Sequence, residues 1–211
     1  MVDAWGDENY VSETKKMVLM VRIFSSYLQD NMNPGVVTLR YVQAVYDVIT
    51  DEHAVTQDQA EELAAMQLYV KFAAQDKSQW VPGFLTTRLI EFVPGPMRNK
   101  QRDDQWEAAI LQKAKALSGT VEAMRLNYLK NIESNDHYGV TTYVCEQHDI
   151  TNLPENVKVG VSDEGVSVWE GHAKQKMFEL PEILRWGYHP KREFYIEASA
   201  LPHADRSLLV H

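Results

Sequence analysis

The chain has 211 residues, of which 45% are hydrophobic and 24% charged, and its formal net charge is −9 at pH 7. This composition is typical of a folded globular protein and excludes disorder of the whole chain. The acidic balance disfavours nucleic acid as a partner, because binding to a phosphate backbone needs clustered Lys and Arg. The single cysteine, Cys145, excludes an intrachain disulfide, so we interpret it as a buried free thiol in a reducing, intracellular compartment.

The N-terminal region is predicted to contain an acidic arm followed by one strand. Residues 1–16 lack the basic start and hydrophobic core of a secretory signal, and no apolar run approaches the ~20 residues of a membrane span. Residues 17–37 hold the run MVLMVRIF, which is rich in β-forming residues, and then the turn signal Asn31-Met32-Asn33-Pro34-Gly35. We therefore expect a strand over 17–24 and a linker behind it.

Residues 38–134 are predicted to form a compact bundle of four or five helices with short connections. In the first helix, apolar side chains recur every three residues at Leu39, Val42, Val45 and Val48, which favours a largely buried helix. The later helices begin at residues that suit an N-cap. Helices are expected over residues 37–50, 56–72, 85–92, 104–117 and 120–132.

Residues 138–211 are predicted to form a meander of short antiparallel strands, because the hydrophobic period changes there from about 3.6 to 2. Residues 157–161 and 166–169 flank Ser162-Asp163-Glu164-Gly165, which is typical of a hairpin with Gly at the end of its loop. Further strands are expected over residues 140–145, 177–180, 183–187, 194–199 and 208–210.

The residues that usually carry catalysis do not form a recognisable pattern. The seven histidines, among them His53 and His137, have no metal-ligand spacing and are interpreted as surface or turn residues. Asp103-Asp104 suits a helix cap better than a metal pair, because Asp104 and Glu107 are three residues apart and a helical stripe follows. We therefore expect no metal, no cofactor and no enzymatic activity.

One basic cluster is a candidate anion site, either for a phosphoinositide head group or for an acidic peptide. The simpler interpretation is solvated loop and helix charge, and the neighbouring acidic residues weaken the local field. The candidate anion- or lipid-binding residues are Arg98, Lys100, Arg102, Lys113, Lys115, Lys191 and Arg192.

Three stretches of the chain together resemble the second and third lobes of the FERM domain. Residues 41–48 and 60–67 are similar to the opening helices of the second lobe, and residues 106–130 resemble its last two helices. Residues 138–143 and 159–168 resemble the first strands of the third lobe, with 183–186 and 194–196 as its middle strands. The chain looks nearest to talin and to the FERM segments of unconventional myosin or kinesin-like tails. The resemblance implies an α+β fold: a helical bundle like acyl-CoA-binding protein over 38–134, followed by a partial pleckstrin-homology-like antiparallel β-sandwich over 138–211.

The chain departs from the family pattern at both ends. The ubiquitin-like first lobe is represented only by residues 17–24, which resemble its final strand. The third lobe normally closes with one more strand and a long amphipathic helix, whereas this sequence stops at Leu208-Leu209-Val210-His211. Either the chain is a fragment or a neighbouring chain completes the fold.

The resemblance implies an adaptor that binds cytoplasmic tails or cargo peptides and links them to actin or a motor, at the cytoskeleton or the cell cortex. The binding mode would be the addition of an extended peptide to a strand edge. The alternative interpretation of Trp186 is that it packs against the neighbouring lobe. The alternative for Phe194 and Ile196 is that they belong to the core. A lipid-binding module and a structural subunit completed by a partner chain remain alternatives. The candidate peptide-binding residues are Arg185, Trp186, Gly187, Phe194, Tyr195 and Ile196.

Overall fold

The computed structural model describes Met20 and residues 31–147, 153–189, 193–199 and 207–210. The predicted arm over 1–16, and the strand over 17–24 apart from Met20, lie outside these residues. The described elements fall into two groups, helices up to Glu133 and strands from Thr141 onward. The predicted α+β fold class, a helical bundle followed by antiparallel strands, is therefore confirmed.

The bundle has four α-helices in the described residues, and local capping explains where they begin. The Asn33 side chain accepts from the Gly35 amide at the start of the first helix. Thr56 and Gln59 form a reciprocal capping box, and Thr120 accepts from the Ala123 amide. The helices are α1 (Pro34–Ile49), α2 (Gln57–Lys71), α3 (Asp103–Ala116) and α4 (Val121–Glu133).

The buried face of α1 is not the one that the three-residue spacing predicted. Leu39 and Val42 are 54% and 57% exposed. A step of three residues falls short of the helical turn of about 3.6, so a run of such steps drifts around the helix. Steps of four, three and four stay on one side. The residues of α1 that are buried are Val37, Arg40, Tyr41, Ala44, Asp47 and Val48.

A long connection between α2 and α3 completes the helical core. It contains 3-10 turns at Lys77–Gln79, Leu89–Glu91 and Gly95–Lys100, and it inserts apolar side chains under the bundle. The helix predicted over residues 85–92 is therefore wrong except for one turn. Buried side chains of this connection are Trp80, Leu85, Leu89, Phe92 and Val93.

Glu107 on α3 holds the middle of this connection against the bundle. Its carboxylate is buried and accepts from the backbone amides of Gly83, at 2.9 Å, and Leu85, at 2.5 Å. The interpretation of Glu107 as part of a cap is wrong, because α3 begins at Asp103 with Arg102 as its N-cap residue.

The second unit is a sandwich of two antiparallel sheets. The strand orders are β1-β2-β3-β4 and β5-β6-β7, so every pairing joins consecutive strands. The predicted hairpin joins β2 to β3, and Gly165 at its end has φ +152°. The strands are β1 (Thr141–Glu146), β2 (Asn156–Val161), β3 (Gly165–Glu170), β4 (Ala173–Glu179), β5 (Ile183–His189), β6 (Glu193–Ala198) and β7 (Ser207–Val210).

The core of the sandwich comes from alternate residues of its strands, as a period of two requires. Gly160 alternates with Val159 and lies on the opposite face of β2, at a close approach where a Cβ would be 2.5 Å from Val140 Cγ1 and 2.8 Å from Trp169 Nε1. The buried residues of this core are Val157, Val159, Val166, Val168, Phe178, Ile196 and Ala198.

A buried arginine on α1 ties the bundle to the segment that leads into the sandwich. Arg40 is 3% exposed and donates to the Glu133 carboxylate on α4 and, at 3.2 Å, to the Tyr138 hydroxyl. A buried guanidinium needs such partners, since an unpaired buried charge is strongly unfavourable.

Among the helices that the structure describes, none is both long and apolar enough to cross a membrane.

Candidate protein-interaction site

Strand β5 forms the edge of the three-stranded sheet. Among the described strands it pairs only with β6, from Ile183 opposite Ala198 to His189 opposite Glu193. Its other side carries backbone N–H and C=O groups without a neighbouring strand in the described part of the chain. Such an edge is a template on which an extended peptide can form a further strand.

An apolar stripe runs along β5 on one face of the sheet. Trp186 and Tyr188 alternate along the strand and are 69% and 65% exposed, and Leu184, which lies at the irregularity in pairing between Ile183 and Arg185, is 64% exposed. Trp186 lies opposite Ile196, and Tyr188 lies opposite Phe194, so the stripe shares the face that β6 turns toward the core. This face is covered at Ile196 and open at β5, which leaves three large side chains in contact with solvent. We call these three residues the β5 stripe.

The opposite face of β5 and β6 is polar, and on it Arg185 of β5 pairs with Glu197 of β6. Arg185 makes two hydrogen bonds to Glu197, with Nε–Oε2 at 3.2 Å and Nη2–Oε1 at 2.5 Å. The Glu197 carboxylate raises the pKa of Arg185 above its ordinary value. Gly187 lies under the Tyr195 ring, where a Cβ would be 2.5 Å from the hydroxyl oxygen. A ligand on this face would therefore have to displace an existing ion pair.

Comparison with known families decides what kind of protein this is. The family model of the FERM central domain matches residues 28–143, which is more than half of the chain. The chain belongs to the FERM family.

The relatives agree with this assignment. Talin-1 of Gallus gallus is 28% identical over 188 residues, which are 87% of this chain but only 7% of talin-1. The human myosin 7b C-terminal MyTH4-FERM domain, solved in complex with the harmonin-a PDZ3 domain, superposes with a TM-score of 0.69 at 20% identity. That match covers 84% of this chain and 36% of the other. The Drosophila Merlin FERM and C-terminal domain complex gives a TM-score of 0.66 at 17% identity, covering 85% of this chain and 58% of that one.

The six residues predicted to bind a peptide do lie together in this FERM chain, on β5 and β6, but on two different faces. Trp186, Phe194 and Ile196 share the face of the β5 stripe. Ile196 is 1% exposed and Phe194 is half-buried, so the core interpretation describes Ile196 correctly. Trp186 is 69% exposed, and the centroid of its ring lies 6.4 Å from that of Phe194. Arg185, Gly187 and Tyr195 lie on the polar face.

Sequence reasoning missed two members of the β5 stripe, Leu184 and Tyr188. The signal for Tyr188 was present, because it is two residues from Trp186 and a strand places such residues on one face. Leu184 lies at the irregularity between Ile183 and Arg185, which the two-residue spacing does not predict. What the sequence did not reveal is that this face remains open at β5.

Two residues of the basic cluster, Arg102 and Lys113, form ion pairs with carboxylates of the same chain. Arg102 binds Asp104, with Nη2–Oδ2 at 2.6 Å, and Lys113 binds Asp58 and Glu61 at 2.5 and 3.1 Å. Lys191 and Arg192 lie outside the described residues. Lys100 and Lys115 are exposed and Arg98 is half-buried. Two of the five described cations are thus partly neutralised by carboxylates of the same chain, which weakens their attraction for an anionic head group.

The histidines and the cysteine differ from what the sequence suggested. His137 lies in a turn and His53 in a bend, as one part of the interpretation expected, but each is 5% exposed, so neither is a surface residue. Cys145 is half-buried, its thiol lies 3.4 Å from the Tyr143 carbonyl oxygen, and burial raises its pKa. Within the described ranges, no group of three or more His, Cys, Asp or Glu is placed to hold a metal ion.

Proposed function

We propose that this chain is a non-enzymatic FERM adaptor that binds an extended peptide, such as the cytoplasmic tail of a receptor or a cargo protein, on β5. In this role it would link the bound tail to actin or to a motor, in the cytoplasm at the cytoskeleton or the cell cortex. The observation that carries the proposal is the coincidence of a strand edge with the β5 stripe. The solved FERM structures named above support a protein ligand, because one contains a PDZ domain and the other a C-terminal domain of Merlin.

Each part of this edge has a distinct role in binding. The backbone of β5 would supply hydrogen bonds that are independent of the peptide's side chains, and the stripe would select apolar residues at alternate positions. Trp186 is the main anchor, because a tryptophan offers the largest apolar area and is 69% exposed here. Covering roughly 100 Å² of it stabilises a complex by about 2.5 kcal/mol.

The direct test is the affinity of the purified chain for a panel of fluorescently labelled cytoplasmic-tail peptides, measured by anisotropy. We expect Trp186→Ala to weaken any bound peptide by ~10-fold or more. Tyr46→Ala is the matched control, because Tyr46 is a 50% exposed aromatic on α1 and away from β5. Equal affinity of wild type and Trp186→Ala for every peptide bound would refute the proposal.

A peptide with alternate amides N-methylated tests the pairing itself. N-methylation removes the donors that face β5 and leaves the side chains in place, so binding by strand addition should be lost. A peptide that still binds would be held by the stripe alone.

A second candidate is that a segment of a partner chain packs flat over the β5 stripe and supplies the closing strand and helix. The observation that favours it is that Tyr143 on β1 is also 54% exposed and shares its sheet face with the buried Val159 opposite. Size-exclusion chromatography with light scattering separates the two, since a chain completed by its own copies would not run as a monomer. A well-folded monomer that binds the unmethylated peptides but not their N-methylated forms would favour strand addition.

A further inference from the structure

Three histidines meet where the helical unit joins the sandwich. His53 follows α1, His137 lies between α4 and β1, and His172 lies in the turn between β3 and β4. The His137 ring packs on Trp169 of β3, with centroids 4.3 Å apart, and its centroid is 5.3 Å from that of His172. We call His53, His137 and His172 the histidine cluster.

Hydrogen bonding fixes where the protons of the buried imidazoles lie. His137 Nδ1 is 3.2 Å from Asn135 Oδ1, and an amide oxygen only accepts, so Nδ1 carries the proton. His137 Nε2 is then a buried acceptor without a partner in the described residues, and His53 Nδ1 is also buried without a partner there. Protonating either nitrogen in place would bury a charge with no group to receive its hydrogen bond, which is costly.

The charges around His137 also oppose its protonation. Burial is the largest effect, and His172 at the turn, Lys158 on β2 and Lys174 on β4 add positive charge, whereas Asp136 beside it favours the cation. Together these lower the pKa of His137 to about 4. For His53, burial and the neighbouring His137 outweigh a hydrogen bond to the His137 backbone, and its pKa also falls to about 4.

Contacts between the two units surround the cluster. The loop after α1 reaches the turn between β3 and β4 through His172 Nε2 and Asp51 Oδ2, which are 3.2 Å apart. Thr142 on β1 donates to Glu52 at 3.3 Å, and within the helical unit Asn135 donates to the Ala54 carbonyl at 2.5 Å. The His137 imidazole therefore lies between the helical unit and β3 and becomes hydrated when that contact opens, and His53 lies behind it, beside His137 and Tyr138.

We propose that the histidine cluster makes the contact between the helical unit and the sandwich sensitive to pH, so that acidification loosens it and lets the units move apart. In the joined state His53 and His137 stay neutral down to a pKa of about 4, whereas hydrated imidazoles have the ordinary value of 6.5. Below 6.5 the open state gains protons and the joined state does not, so the contact weakens as the pH falls from 6.5 toward 4. At one pH unit below its hydrated pKa, His137 shifts the equilibrium about 10-fold, and His53 adds to this shift to the extent that the opening also hydrates it.

The test measures the distance between the units by double electron–electron resonance. Spin labels are placed at the exposed positions Asn127→Cys on α4 and Gln175→Cys on β4, in a Cys145→Ala background. We expect one narrow distance distribution at pH 7.5 and a broader, longer one at pH 5.5, with circular dichroism unchanged. The His53→Phe/His137→Phe double variant keeps aromatic packing without a titrating group and should lose this response, whereas His211→Gln outside the cluster should retain it.

Two results would overturn the proposal. One is a distance distribution that does not change between pH 7.5 and 5.0. The other is the same acid response in the double variant. If that variant does not fold, the single variant His137→Phe takes its place: an acid response equal to that of the wild type overturns the proposal, and a weaker response supports it.

Discussion

The carboxylate of Glu107 is expected to hold the long connection between α2 and α3 in place. It is 6% exposed and accepts from two backbone amides, those of Gly83 at 2.9 Å and Leu85 at 2.5 Å. Hydrogen bonds to a charged acceptor contribute about 1.5–3 kcal/mol each, and a buried amide left without a partner costs about 1–3 kcal/mol. Only Leu85 is buried, whereas Gly83 is exposed and its amide can bind water instead. Glu107→Ala should therefore reduce the free energy of unfolding by about 2–3 kcal/mol.

Glu107→Gln separates the charge from the geometry. The amide side chain has one acceptor oxygen and presents an NH₂ group to the second backbone donor, so it keeps one of the two hydrogen bonds. We expect it to cost about half as much as the alanine variant. Urea denaturation followed by circular dichroism measures both, and the midpoint should fall while the slope stays constant. Glu122→Ala, on the exposed side of α4, is the control. A Glu107→Ala midpoint equal to that of the control would refute the reasoning.

Two further variants test the close packing of the sandwich and the start of a helix. Gly160→Ala should destabilise the chain by about 2–3 kcal/mol, because the added Cβ meets Val140, Ser167 and Trp169 at 2.5–2.8 Å; an unchanged urea midpoint would show that these side chains yield freely. Thr56→Ala removes the side-chain oxygen that accepts from the Gln59 amide, and should cost about 1 kcal/mol. Thermal melts would report that loss as a small decrease in Tm, and Thr56→Ser, which keeps the oxygen, should melt like the wild type.

The regular elements were predictable because their signals are local. The Thr56 and Thr120 caps lie directly before the helices they start, and the change of period after His137 coincides with the first strand, Thr141–Glu146. The hairpin at Ser162–Gly165 was readable for the same reason, since a short turn with glycine is encoded within four residues.

The features that sequence did not predict all depend on contacts between distant segments. Glu107 looked like a helix-cap residue because its bonds to Gly83 and Leu85 join positions 22 and 24 residues apart. His53 looked exposed because the groups that bury it, His137 and Tyr138, come from the far end of the bundle. In each case a polar residue is placed in the core by partners that no local pattern reveals.

The exposure of the β5 stripe was unpredictable for a related reason. Leu184, Trp186 and Tyr188 have the alternation of a half-buried strand, which is the pattern that normally indicates a core face. A sequence reports which residues share a face but not whether another element covers that face.

The two candidate surfaces of the sandwich lie on different sheets, and this has a consequence for how they act together. The histidine cluster contacts β3 through Trp169, whereas the β5 stripe belongs to the sheet of β5, β6 and β7. Trp169 pairs with Lys158 and Lys174 within its own sheet, and the stripe borders the core at Ile196. Opening the contact at His137 therefore removes no residue that pairs with β5 or shares its face. Acidification should change where the helical unit lies relative to a bound peptide, while the affinity of the β5 edge for that peptide stays nearly constant.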